Sequence, residues 1–540
     1  MSDGRSPWAY HLYAPSRVAQ NRGCGADGLT EVSLANPLYD TLFGAHADSS
    51  APFLMLPDGS VQSYAAFLGT AARLAHVLTA RGLRPGDRLA AQVHKSPEAL
   101  ALYAACVQAG VIVLPLNTAY TVDELTYFIE NSGARMVVCD GAACETLTPV
   151  AARLSAMVET LDADGSGSLT EAAGAMEDTF PTVAREIDDL AAFLYTSGTT
   201  GRSKGAMLTQ GNLLSNARTL TDYWRFTADD VLLHALPIYH THGLFVATNV
   251  TLLAGGAMVF LPKFDLDAMI ARMPEATVMM GVPTFYTRLL DDPRMTRDLA
   301  GHMRLFISGS APLLAETHER FEARTGHRIL ERYGMTETNM NTSNPYDGER
   351  RAGTVGFPLP GVELKITDPE TGAALPQGEI GQIEVRGPNV FKGYWQMPDK
   401  TAAELRADGF FITGDLGRID ADGYVHIVGR NKDLIISGGF NIYPKEIELI
   451  LDDQPGVMES AVIGVPHPDF GETVLGLIVP EPGAEPDLDA IAEAAAGSLA
   501  RFKRPRRLLL IDALPRNTMG KVQKNTLRER YSDLFAPGRA

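Results

Sequence analysis

With 540 residues, 45% hydrophobic and 21% charged, the chain has a globular profile and is too long for one core. A net charge of −18 argues against general nucleic-acid binding and against an anionic membrane surface, yet permits a local positive site for a polyanionic small ligand. Four cysteines (Cys24, Cys106, Cys139 and Cys144) make no Cys-x-x-Cys or zinc-like spacing, which fits a reducing compartment and excludes a disulfide framework.

Residues 1–34 show little periodicity and no basic-then-apolar leader, so they read as an N-terminal extension of a cytoplasmic protein. The first third of the remainder alternates strand and helix. Residues 63–81 have helical periodicity closed by Gly82, and 88–93 form a strand. Ser96-Pro97-Glu98 starts a helix with a capping serine and a proline in the first turn. The apolar stretch 99–116 is broken by Gln108 and Gly110, and reads as a buried helix plus a strand at 111–116 rather than a membrane span. Thr121-Val122-Asp123-Glu124 matches a capping box, and 135–140 is again a strand. The middle third repeats the theme, with strands at 231–237, 257–261, 277–280 and 304–308 and helices from Gly243, near Asp267 and from Pro283. This order predicts two doubly wound α/β halves, whose ligands sit at the carboxyl ends of strands. From Gly356 onward, short strands at 362–367, 381–386, 417–420 and 424–428 with Asp/Gly/Pro turns predict a small β-barrel-like unit. A compact α+β unit follows Arg430.

Certain stretches carry residue types suited to chemistry. Residues 195–205 read YTSGTTGRSKG, with three glycines and five Ser/Thr hydroxyls. Such a loop, with a lysine beside it, can wrap a phosphate chain. It is not the common G-x-x-x-x-G-K-[ST] loop, because Arg202 and Ser203 separate Gly201 from Lys204. His240-Thr241-His242-Gly243 has two histidines but no third metal ligand nearby, and reads as a pocket wall. Ser308-Gly309-Ser310-Ala311-Pro312 ends a strand with small residues. In Arg332-Tyr333-Gly334-Met335-Thr336-Glu337-Thr338, an aromatic beside a glycine suits a flat base, and a Thr/Glu pair offers oxygen ligands to Mg2+. Thr413-Gly414-Asp415 and Gly429-Arg430 offer a carboxylate for a ribose diol and a guanidinium for phosphate. Arg516-Asn517-Thr518-Met519-Gly520-Lys521 sets a lysine on a polar loop that can reach a distant site.

Together, and in this order, these stretches resemble the adenylate-forming superfamily of acyl-CoA synthetases, peptide-synthetase adenylation domains and luciferase. The resemblance spans about residues 63–524. It implies an adenylation domain at 35–431 and a small mobile domain at 432–540 that carries the catalytic lysine, with Lys432 as the hinge. It implies ATP, Mg2+ and CoA as participants. Thr196, Ser197, Gly198, Thr199, Thr200, Gly201 and Lys204 would hold the β- and γ-phosphates. Glu337, with Thr196, would hold Mg2+. Gly309, Ser310, Ala311, Tyr333, Gly334, Met335 and Thr336 would line the adenine slot, and Asp415 and Arg430 would take the ribose and phosphate. Lys521 would bridge the acid and the α-phosphate, and Ser437, Gly438, Gly439 and Phe440 would line a pantetheine tunnel. With no carrier segment after residue 540, a free-standing CoA ligase is expected.

The acyl pocket is expected from His240, Arg288, Ser308 and Met335. On a helix from Pro283, Arg288 lies one turn from Phe285 and Thr284; a buried guanidinium there would pair with the second carboxylate of a dicarboxylic acid. The stretches HALPIYHTHGLF, GVPTFYTRLL and ERYGMTETNMNTSNP resemble those of bacterial malonyl-CoA synthetases, which implies malonate, with methylmalonate tolerated. The competing expectations are a ligase for a medium-chain or aromatic acid, which differs at Arg288 and its neighbours, and a nucleotide sensor, which intact Lys521 and Glu337 oppose. A lysine acetyltransferase acting on Lys521 is a further expected partner, since acetylation removes the charge.

Overall fold

A computed structural model describes residues 35–196, 203–437, 440–467, 470–517 and 521–535. Its first half is built as the alternation predicts. Arg88–Gln92, Ile112–Pro115, Met136–Cys139, Met157–Thr160 and Leu190–Thr196 are parallel neighbours, with Lys204–Thr209 added antiparallel at one edge. Local signals start the helices between them. Ser63 caps Tyr64–Ala80, Ser96 caps Pro97–Ala109 with its proline in the first turn, and Thr121 and Glu124 close a complete capping box on Val122–Ser132.

The second sheet is nine-stranded among the described residues. Its centre is Ala257–Phe260, Val231–His234, Val278–Gly281, Leu305–Ser308 and Leu330–Met335, all parallel. Asn339–Ser343 turns back antiparallel on Leu330–Met335. Strands buried on both faces, such as Met258, Val259, Leu232, Leu233, Phe306 and Ile307, need continuous apolar runs, and the sequence supplies them. The helix expected from Gly243 starts as a π-helix, His242–Thr248, before turning α-helical over Asn249–Ala254. A Cβ on Gly243 would fall 2.0 Å from the Pro237 carbonyl oxygen, so only glycine fits this close approach.

The small β-unit is a four-stranded antiparallel meander, Glu363–Thr367, Gly381–Arg386, Phe411–Ile419 and Val425–Arg430. Its third strand starts earlier than the expected 417–420, because the TGD stretch is itself ladder backbone, bulged between Leu416 and Gly417 where it meets Val425–Arg430. Beyond it, Ile435–Ser437, Phe440–Ile442, Val457–His467, Gly471–Pro480 and Arg507–Leu510 form a last sheet. The apolar clusters of this segment, around Ile435, Ile447, Val462, Ile478 and Leu477, are separate from those formed by residues 38–411. Among the described residues, no helix is long and apolar enough to cross a membrane.

Candidate active site

The glycine-rich stretch connects two antiparallel strands, Leu190–Thr196 and Lys204–Thr209. Thr196 and Lys204 are cross-strand partners, so the chain leaves and re-enters the sheet at neighbouring points. Ser197, Gly198, Thr199, Thr200 and Gly201 lie outside the described residues. Where the first strand ends, Thr196 Oγ1 donates to Glu337 Oε1 at 3.1 Å. Glu337 is buried, in the turn that joins Leu330–Met335 to Asn339–Ser343. That turn needs Gly334, where a Cβ would sit 1.9 Å from the Asn339 carbonyl oxygen. A buried carboxylate beside a threonine hydroxyl is a donor set of hard oxygens, the kind magnesium takes.

Asp415 stands opposite Arg430 in the meander, and Arg430 Nε meets its Oδ1 at 2.6 Å. The Tyr333 hydroxyl donates to its Oδ2. Asp415 is held in place from behind, since its amide bonds to Thr413 Oγ1 at 3.1 Å and its carbonyl accepts from Gln382 Nε2 at 2.9 Å. The Asp415 carboxylate raises the Arg430 pKa, and burial followed by Asp415 raises that of Tyr333.

Lys521 lies in the loop between the last strand, Arg507–Leu510, and the helix Lys524–Arg530. Its amide donates to Asn517 Oδ1 and its carbonyl accepts from the Asn517 amide, both at 2.9 Å, below an Arg516–Val522 bridge. The lysine keeps exposed surface, yet the bulk around its ammonium lowers its pKa, as do Arg430 and Arg332, against the pull of Asp415 and Glu337. The charge of Lys521 also acts on His240, whose pKa falls to about 3, burial being the largest cause. The loop from the far end of the sequence is thus electrostatically coupled to Asp415, Glu337 and His240.

Several buried polar atoms on the neighbouring strand ends have no hydrogen-bond partner. Arg332 is 2% exposed, and its Nε and Nη2 are buried without a hydrogen-bond partner. Its guanidinium crosses Gly309, where a Cβ would lie 2.4 Å from Cζ. Ser308 Oγ, at the end of the neighbouring strand, is also buried and unpartnered, as is His242 Nε2. His242 Nδ1 is 3.1 Å from Ser310 Oγ, and Ser310 adopts a left-handed φ of 73°. Burial holds His242 neutral, with Arg332 the largest charge acting on it. His240, half-buried, accepts at Nδ1 from the His242 amide at 3.3 Å. A guanidinium, a neutral imidazole and a hydroxyl, each with a buried polar atom lacking a partner, offer donors suited to an anion with several acceptor oxygens.

The structure corrects two expectations. Arg288 is exposed, its guanidinium 5.6 Å over the Phe264 ring, rather than the buried guanidinium expected. The helix Pro283–Asp291 buries Phe285, Tyr286, Leu289 and Leu290 instead, and the long side chain leaves by the solvent face. Lys204 is buried, but its ammonium is engaged by Tyr394 Oη at 3.1 Å and Glu404 Oε2 at 3.2 Å rather than left open for a phosphate. Gly309, Ala311, Gly334, Met335 and Thr336 lie on the strand ends and turn beside Tyr333. Lys432 is exposed in the turn Asn431–Asp433. Ser437 pairs with Gly471 and with the backbone of Phe440, while Gly438 and Gly439 lie outside the described residues. Sequence reasoning missed Arg332, Tyr394 and Glu404. Arg332 stood inside the RYGMTET stretch, and the signal was a charged residue in the buried first half of a strand. Nothing local marked Tyr394 or Glu404.

Sequence profiles give the class to which this fold and this group of side chains belong. Residues 45–395 match the AMP-binding enzyme profile and 446–521 its C-terminal domain, so the chain belongs to the AMP-binding enzyme family. It is 38% identical to a malonate–CoA ligase of Arabidopsis thaliana over 78% of this chain and 74% of that protein. It is 36% identical to a feruloyl-CoA synthase of an Amycolatopsis species over 88% and 94%. The crystal structure of ATP-bound MatB from Rhodopseudomonas palustris matches with a TM-score of 0.91 at 61% identity, covering 93% of this chain and all of that one.

Proposed function

We propose that the protein is an ATP-dependent ligase that joins malonate to coenzyme A through malonyl-adenylate, releasing pyrophosphate and then AMP. The observation that carries the choice of acid is Arg332. A buried, unpartnered guanidinium flanked by Ser308 and His242 is costly beside a fatty-acid tail or an aromatic ring, and is relieved by the distal carboxylate of a dicarboxylic acid. This reading moves the acid-binding role from Arg288 to Arg332, and keeps His240 and Met335 as pocket wall.

In the first step a carboxylate oxygen of malonate bonds to the α-phosphorus as the bond to the β-phosphate oxygen breaks. Charge accumulates on phosphate oxygens, so positioning and electrostatics do most of the work. Lys521 bridges the reacting carboxylate and the α-phosphate, Asp415 and Arg430 hold the ribose, and Tyr333 borders the adenine. The loop that begins at Thr196 encloses the leaving pyrophosphate. Glu337 and Thr196 hold Mg2+, which supplies neutralising charge to the phosphates. In the second step the CoA thiolate attacks the acyl carbonyl and AMP leaves. Residues 432–540 act as a domain turning about Lys432, bringing Ser437 to Phe440 to the pantetheine. We place the protein in the cytoplasm. We further propose Lys521 as the target of an acetyltransferase, which the intact mass of native protein would reveal as an added acetyl group; uniformly unmodified Lys521 across growth conditions would count against it.

Pyrophosphate release measured across malonate, methylmalonate, acetate, hexanoate and ferulate tests the acid. Malonate should give the highest kcat/KM. A higher value for acetate, hexanoate or ferulate would overturn the malonate reading while leaving the ligase class intact.

A further inference from the structure

The lysine that closes the glycine-rich stretch has found partners other than phosphate. Lys204 is 9% exposed, and its ammonium lies 3.1 Å from Tyr394 Oη, 3.2 Å from Glu404 Oε2 and 4.2 Å from the centre of the Tyr394 ring. Glu404 also takes Lys400 Nζ at 2.6 Å. Tyr394 Oη in turn stands between two carboxylates, 2.7 Å from Glu404 Oε2 and 3.0 Å from Glu337 Oε1. An ammonium only donates, so Tyr394 accepts from Lys204 and has a single proton of its own. That proton serves one carboxylate at a time. The oxygen it reaches on Glu337 is the one that also accepts from Thr196 at 3.1 Å. The two cross-strand partners, Thr196 and Lys204, therefore both act on one carboxylate oxygen, the first directly and the second through Tyr394.

We propose that Lys204, Tyr394 and Glu404 form a positioning relay for Glu337. The relay rests on the reading of Glu337 as the divalent-cation ligand. With no cation bound, Tyr394 donates to Glu337 Oε1 and fixes its rotamer. When that oxygen turns to a cation, the Tyr394 proton swings to Glu404, and no proton leaves the group. Lys204 keeps Tyr394 placed by donating to its oxygen, and balances the charge of Glu404. Lys204 is thus a positioning residue for the cation site and not a phosphate contact.

The test compares Lys204→Met, Tyr394→Phe and Glu404→Gln by two readouts. One is the Mg2+ concentration that half-saturates pyrophosphate release at saturating ATP and malonate. The other is Mn2+ binding, followed by electron paramagnetic resonance, to protein loaded with a non-hydrolysable ATP analogue. Each variant should raise the Mg2+ requirement and weaken Mn2+ binding about tenfold, the usual cost of losing a group behind a metal ligand, with KM for malonate unchanged. Tyr394→Phe keeps the ring and carries the test alone if Lys204→Met does not fold. If Lys204→Met raises KM for ATP at saturating Mg2+ while Tyr394→Phe behaves as wild type, Lys204 contacts phosphate and the relay is wrong. Glu337→Gln separates the two levels: unchanged Mn2+ binding in that variant removes Glu337 as the ligand, whereas weakened binding in it alone overturns only the relay.

Discussion

At the scale of single residues, Arg332 sets a conflict between folding and function. An unpartnered guanidinium with 2% exposure costs the fold, and burial pushes its pKa down to about 9, with partial opposition from Tyr286 and Glu331. Replacing such a buried charge by an apolar side chain of similar volume is commonly neutral or stabilising, by about 1–4 kcal/mol. A desolvated charge pair with substrate is worth about 2–5 kcal/mol when one partner is removed, or roughly 30- to several-thousand-fold. The two figures point in opposite directions for one substitution. Arg332→Met should melt at or above the wild-type temperature and lose at least about thirtyfold in kcat/KM for malonate. Gly309→Ala, whose methyl would displace the guanidinium, should copy the malonate loss without the gain in stability. Thermal melts alongside substrate kinetics decide the matter. An Arg332→Met protein that turns malonate over normally would remove Arg332 from acid recognition.

At the scale of elements, the chain was readable wherever a signal is local. Ser96 with Pro97, and Thr121 with Glu124, announce helices that start where those residues stand, because caps act on amides two or three positions away. The antiparallel pairing of the strands on either side of the glycine-rich stretch was not readable. The strand Lys204–Thr209 has no hydrophobic alternation, being buried at five of its six positions. The group around Glu337 was half visible. Thr196 and Glu337 stood in recognised stretches, whereas Tyr394 and Glu404 sit 57 and 67 positions beyond Glu337 and meet it only through tertiary packing. Arg288 shows where the legible signal stops, since it was expected to be buried and is exposed. Helical periodicity correctly placed it a turn from Phe285, but the side of the helix facing the site is set by the sheet beneath, which the sequence does not display.

At the scale of the whole molecule, substrate loops and stability share a set of enclosed histidines. His234, His240 and His242 all have lowered pKa values, with burial the largest cause in each. His234 is fixed by the architecture. Its Nε2–H donates to the Gly243 carbonyl at 3.1 Å, so its bare Nδ1 accepts from Lys95 at 3.0 Å. That arrangement pins the turn carrying His240 and His242, and protonating Nδ1 would set two cations against each other. The sign follows from linkage. Each folded-state pKa is depressed, so near pH 6 the unfolded chain binds more protons than the folded one and stability falls as pH falls. The loss begins near the unfolded value of about 6.5 and continues, for His240, down to about 3. Each such histidine contributes about 1.4 kcal/mol per pH unit through this window, against a typical total stability of about 5–15 kcal/mol. These three groups should cause a drop in melting temperature between pH 6 and pH 4.5, against an opposing gain from Glu331, whose buried carboxyl has its pKa raised to about 8 and so keeps in the fold a proton that the unfolded chain has lost. His234→Gln with Lys95→Met, which removes one titrating ring and its charged neighbour, should make that drop shallower. Scanning calorimetry of both proteins over this range tests it: a double variant that keeps the wild-type slope from pH 7 to pH 4.5 would show that the His234–Lys95 pair, and the turn it pins, is not the acid-sensitive point of the molecule.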